Sequence, residues 1–185
     1  MGKNVQLSSI EFILIVSLLL SLPVTGISQI INKDSSLVTF EISNLGINTV
    51  NGTIKGFNGR VLLDTVDISN SLFQVCIDPA TVNTGISARD RALLEEDYFS
   101  VERYANICFK SREIIKTEEG FLTIGALTLK GISREVSIPF TFEEHKLTGS
   151  LEINRSEYGV GPKSGFLVGK TVKLRILCVL DTNDP

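Results

Sequence analysis

Histidine is almost missing from this chain: there is one, His145. A lone imidazole lacks the second group that acid–base catalysis or metal ligation needs. It also stands in the polar stretch Glu143-Glu144-His145-Lys146, which reads as a solvent-facing turn between strands. No Gly-x-Ser-x-Gly element precedes a helix, so an activated nucleophile has no motif behind it. Gly46, Gly52, Gly56 and Gly59 fall within or beside strands, not between a strand and a helix, which excludes a phosphate-cradling loop of the usual kind. There is no basic run, and the net charge is −3, so nothing recruits nucleic acid. The acidic run Glu95-Glu96-Asp97 reads as the solvated end of a helix. These absences leave no catalytic residue, cofactor or metal to expect.

Cysteine is scarce and odd in number. Cys76, Cys108 and Cys178 allow at most one bridge within the chain, and none is spaced like a zinc knuckle. Cys76 alternates out of phase with Val75 and Ile77, and Cys108 with Ile107 and Phe109, so both point away from the apolar face and form the pair to choose. Cys178 shares parity with Val172, Leu174 and Ile176 and reads as a buried free thiol.

Long apolar runs are limited to one, Phe12 to Leu22, preceded by Lys3 and followed by Pro23, Gly26 and Ser28. It falls short of the roughly 20 residues that span a bilayer. The order matches a secretory signal peptide, with cleavage after Ser28. The domains are therefore 1–28, signal peptide, and 29–185, one β-barrel, with no stable membrane span once the signal is gone. The 157 remaining residues suit a single domain with a real core.

From Ser36 to Leu180 the apolar pattern has period two, interrupted by Gly, Asn and Asp turns about every ten residues. Val38, Phe40 and Ile42 alternate with Thr39, Glu41 and Ser43; Val50 and Ile54 alternate with Asn51, Thr53 and Lys55. Beyond Gly56 the apolar set moves to odd numbers, Phe57, Val61 and Leu63, which requires a bulge or a sharp corner. Further strands carry Phe73, Val75 and Ile77; Ile107 and Phe109; Leu122 and Ile124; Val136 to Phe142; Leu147 to Ile153; and Val172 to Ile176. The class is all-β: about eight antiparallel strands, the number at which a closed barrel holds one small ligand. One helix is expected from Ala88 to about Glu96, capped by Ser87 with Asp90 as acidic partner and with Leu93 and Leu94 as its apolar side.

The side chains expected to face a ligand are Phe40, Ile42, Val50, Ile54, Phe57, Val75, Ile77, Leu94, Phe99, Phe109, Ile124, Phe140, Ile153 and Leu174, with Gly52 supplying room. Gly52 and Gly56 share the face of Val50 and Ile54, and Gly149 that of Leu147 and Leu151. Such glycines either leave space or let a tight barrel bend. Arg155 follows the parity of Leu151 and Ile153. It and the Arg89-Asp90 pair are polar groups that a cavity mouth could use to orient a head group; their structural alternatives are a strand end reaching water and helix capping.

Taken in order, Val38-Thr39-Phe40-Glu41-Ile42 with Leu45-Gly46, Val50-Asn51-Gly52-Thr53 with Phe57-Asn58-Gly59, Thr84-Gly85-Ile86 with Ala88-Arg89-Asp90, Asp97-Tyr98-Phe99, Leu122-Thr123-Ile124 with Leu127-Thr128-Leu129-Lys130-Gly131, and Asn154-Arg155 with Tyr158-Gly159-Val160-Gly161 resemble the YceI-like family of secreted lipid-binding proteins. The resemblance covers about Asn32 to Leu180. It implies a lipocalin-like barrel of eight antiparallel strands, a periplasmic or secreted address, no catalytic residues, and a tunnel for a polyisoprenoid chain, a quinone tail or a related amphiphile. It names no protein partner. Ser35 and Asn44 depart from the histidines that many members carry there, which bears on head-group preference. The alternatives are a barrel filled by its own side chains that meets another protein and, less favoured, an enzyme acting on a lipid head group.

Overall fold

In the computed structural model, residues 29–45, 48–162 and 168–181 are described. The expected signal segment and its cleavage point lie outside them. Eight strands run in chain order: β1 (Leu37–Asn44), β2 (Asn48–Leu62), β3 (Leu72–Asn83), β4 (Ile107–Thr117), β5 (Gly120–Leu129), β6 (Ile132–Glu143), β7 (Lys146–Asn154) and β8 (Val168–Val179). Each pairs antiparallel with the next, and β8 closes on β1, giving a closed barrel. One α-helix, α1 (Ser87–Leu94), interrupts the β3–β4 connection. Closure gives every strand a neighbour on both sides, although β6 meets β7 only over Phe140–Glu143 and β3 meets β4 only over Gln74–Ile77.

The change of parity at Gly56 is a bulge. Pairing of β2 with β3 shifts between Thr53 and Lys55 and again between Lys55 and Asn58, so Ile54 and Phe57 are both buried despite opposite parity. Gly56 has φ +75°, and a Cβ there would lie 2.7 Å from Asp78 Cβ, so both backbone and neighbour demand glycine. A second bulge, between Ser111 and Glu113 of β4, moves its inward set from Ser111 to Ile114.

Two expectations change. Ile124 and Leu122 were read as the inward set of β5, but Phe121, Thr123 and Gly125 stand opposite the inward Phe140, Ile138 and Val136 of β6. Directly paired residues share a face, so Thr123, Leu127 and Leu129 are buried and Ile124 faces out. The helix is also capped otherwise: Ile86 is its N-cap and no side chain bonds the first turn. Asp90 instead accepts from the backbone N–H and the hydroxyl of Thr84, tying the helix to the preceding loop.

The β1–β2, β3–β4, β5–β6 and β7–β8 connections lie at one end, here the upper end. At the lower end Ile31, Phe57, Val61, Phe73, Phe140, Leu147 and Leu180 form a continuous apolar cluster. Phe140 meets Phe73 edge-on and stacks on Phe121, each with centroids 5.3 Å apart. The chain before β1 closes this end through bridges from Gln29 to Val61 and from Ile31 to Leu180. His145 lies here too, exposed in the tight β6–β7 turn, where it and Glu144 both have positive φ. On the outer wall Cys76 and Cys108, directly opposite in β3 and β4, form a disulfide. Cys178 is free and buried. The outer face carries charges such as the exposed Arg112–Glu135 pair at 2.7 Å, the inverse of a barrel that faces lipid. Among the described residues no helix is long and apolar enough to cross a membrane.

Candidate functional site

Period-two alternation sends one residue in two into the lumen, and on most strands those residues are Val, Ile, Leu or Phe. They do not fill it. A cavity of about 340 Å³ runs inside the barrel, within the ~300–1,000 Å³ typical of ligand pockets. Its wall extends from Val61, Leu147 and Cys178 below to Asn44, Arg89 and Arg155 above. Along β1 the stretch from Val38 to Asn44 corresponds to about 20 Å of strand, or about 15 Å along the barrel axis at a tilt of roughly 40°. The space is narrow, elongated and apolar, with Asn44, Arg89, Tyr98, Thr123 and Arg155 as its polar side chains among the described residues.

Most of the residues chosen from sequence stand on this wall: Phe40, Ile42, Val50, Ile54, Phe57, Val75, Ile77, Phe99, Phe109, Phe140, Ile153, Arg155 and Leu174. Three do not. Ile124 points outward for the pairing reason given above. Leu94 is off the wall because the helix presents Arg89, Ala92 and Leu93, spaced i, i+3 and i+4 and so on one face, while Leu94 is a further ~100° around. Gly52 offers no room, because its cross-strand partner Phe40 lays its ring over it: a Cβ at Gly52 would be 2.3 Å from Phe40 Cζ. Gly149 does line the cavity. Leu93, Thr123, Leu127 and Leu129 join the wall without having been chosen; the parity of β6 held the signal for the three on β5.

The two arginines differ in what they hold. Arg155 is 4% exposed. Its Nε donates to Gly169 O and its terminal nitrogens to the carbonyls of Val160, Pro162 and Val168, all at 2.7–2.8 Å. It is the hub of the β7–β8 connection, drawing together carbonyls from both sides of it, of which that of the buried Val160 most needs a donor. Arg89 is half-buried and anchored by two bonds to Thr84: Nε to the hydroxyl at 2.7 Å and one terminal nitrogen to the carbonyl at 2.9 Å. Deep in the barrel, burial pushes the Cys178 thiol up to about 11, with a hydrogen bond to Ser36 opposing the shift.

The chain is similar in sequence and fold to known proteins. The UPF0312 protein of Serratia proteamaculans is 31% identical over 140 residues, which is 76% of this chain and 68% of that protein. The UPF0312 protein of Ectopseudomonas mendocina is 30% identical over 141 residues, 76% of this chain and 69% of that one. Among solved structures, BcnA of Burkholderia cenocepacia superposes with a TM-score of 0.73 at 25% identity, covering 80% of this chain and 98% of its own. A polyisoprenoid binding domain from Saccharophagus degradans shares the fold with a TM-score of 0.60 at 14% identity, covering 83% and 97%. The YceI-like domain profile matches residues 30–180, nearly the whole described barrel, and the chain belongs to that family.

Proposed function

We propose that this barrel binds an elongated apolar lipid, a polyisoprenoid or quinone-like amphiphile, in its lumen and acts as a periplasmic or secreted carrier or scavenger of it. The observation that carries the reading is the cavity itself, long, about 340 Å³, and walled by aliphatic and aromatic side chains. The shared fold of the polyisoprenoid binding domain from Saccharophagus degradans points the same way. Binding rather than catalysis is favoured because the one histidine sits exposed in the β6–β7 turn, at the end opposite Arg89.

Each methylene buried in the lumen contributes ~0.8 kcal/mol, set against an association cost of ~4–15 kcal/mol. Affinity therefore grows with the length of tail that the lumen encloses. Native mass spectrometry of the exported protein, purified without detergent, is expected to detect a lipid adduct released on denaturation. Protein that copurifies no lipid and, once extracted with organic solvent, fails to bind added farnesol or ubiquinone overturns the proposal.

A further inference from the structure

Resting on that reading, we infer that Arg89 is the head-group receptor of the cavity and that it selects amphiphiles with an anionic oxygen head, a carboxylate or a phosphate. Among the described residues, two cationic side chains border the lumen. Arg155 is committed to four backbone carbonyls of the β7–β8 connection. Arg89 spends Nε–H and one terminal N–H on Thr84, and these two bonds fix the plane of its guanidinium. A guanidinium has five donors, so both donors of one terminal nitrogen and one of the other are left for a partner.

The carboxylates around it are occupied or turned away. Asp90, its chain neighbour, takes the N–H and hydroxyl of Thr84, and Glu95, Glu96 and Asp97 are solvent-exposed. Arg89 makes no ion pair among the described residues. A half-buried cation against an apolar wall gains most from a charged acceptor, because charge-assisted bonds are about twice as strong as neutral ones and water competes less there. The fork geometry favours two oxygens on one centre. Ala92 and Leu93, on the same helical face, place the receptor where the apolar wall begins, so a head held by Arg89 leaves the tail to run down the lumen. Asn44 adds a second polar side chain to the same wall.

The test compares three probes with one tail, farnesol, farnesyl phosphate and farnesoic acid, by calorimetric titration of solvent-extracted protein. Wild type is expected to bind both anions at least tenfold more tightly than the alcohol, with the margin shrinking as NaCl rises. Arg89→Gln is expected to bring the three affinities within about threefold of one another, the two anions losing far more than the alcohol, and Arg89→Lys to keep part of the margin. Which anion binds more tightly tells a phosphate head from a carboxylate one. Equal affinities in wild type, or an equal loss for all three probes in Arg89→Gln, overturns the head-group assignment and leaves lipid binding standing. No binding of any probe overturns both. Should the glutamine variant fail to fold for want of its Thr84 anchor, the wild-type ranking and the lysine variant still decide.

Discussion

Replacing Gly52 by alanine tests how the cavity is shaped. The new Cβ would stand 2.3 Å and 2.6 Å from Phe40 Cζ and Cε1, and 3.0 Å from the Asn83 carbonyl oxygen. The carbonyl belongs to the β2–β3 wall and yields little, whereas the ring end of Phe40 can swing, and the open direction is the lumen. Overpacking of this kind costs typically about 1–3 kcal/mol. The loss of glycine's freedom in the unfolded chain returns about 0.4–1 kcal/mol. The variant is therefore expected to lose about 1–2 kcal/mol, a fall of several degrees in Tm, and also to bind lipid less well, because a ring displaced inward occupies cavity volume. Adding Phe40→Leu removes the ring that clashes, so in a double-mutant cycle read by urea unfolding the pair should couple favourably by about 1 kcal/mol or more. Additive effects within ~0.3 kcal/mol, or an alanine variant as stable and as lipid-loaded as its parent, would show that Phe40 does not cover Gly52 and would refute the packing on which the cavity's outline rests.

Other consequences follow from buried polar groups. Cys178 has a folded-state value raised from 9.0 to about 11 by burial, so its contribution is complete below pH 9 and is lost as pH rises toward 11, at up to about 1.4 kcal/mol per unit. The stability difference between wild type and Cys178→Ala, measured by urea unfolding, should shrink across that window and stay constant below it; parallel curves would count against a buried protonated thiol. Arg155→Leu strips donors from the carbonyls of Val160, Pro162, Val168 and Gly169 and should destabilise by about 3 kcal/mol or more, with faster amide exchange in β8 near Val168. A variant as stable as wild type would show that water replaces the guanidinium.

How much of this was legible in the sequence varied by element, and the reason lies in what periodicity records. Alternation along one strand reports that strand's own two faces, so the all-β class, the inward sets of β1, β6 and β8, and the jump of parity at Gly56 were all readable before any fold was known. The outward phase of Cys76 and Cys108 was readable too, and the two meet as direct partners. Alternation fails where both faces are apolar. In β5, Leu122 and Ile124 compete with Phe121, Leu127 and Leu129, and only pairing with β6 breaks the tie. It also says nothing of what lies across a ladder or a loop. Gly52 looked like vacant space until Phe40, opposite it in β1, was seen to cover it. Arg89 and Arg155 looked alike as cations near an apolar face. Tertiary structure separates them, because the β7–β8 connection folds its carbonyls onto Arg155, while α1 turns Arg89 to the lumen with, among the described residues, Thr84 alone to hold. The sequence thus determined which residues could face inward, and the closure of the barrel decided which inward positions are wall, which are filled and which arginine is committed to the β7–β8 connection.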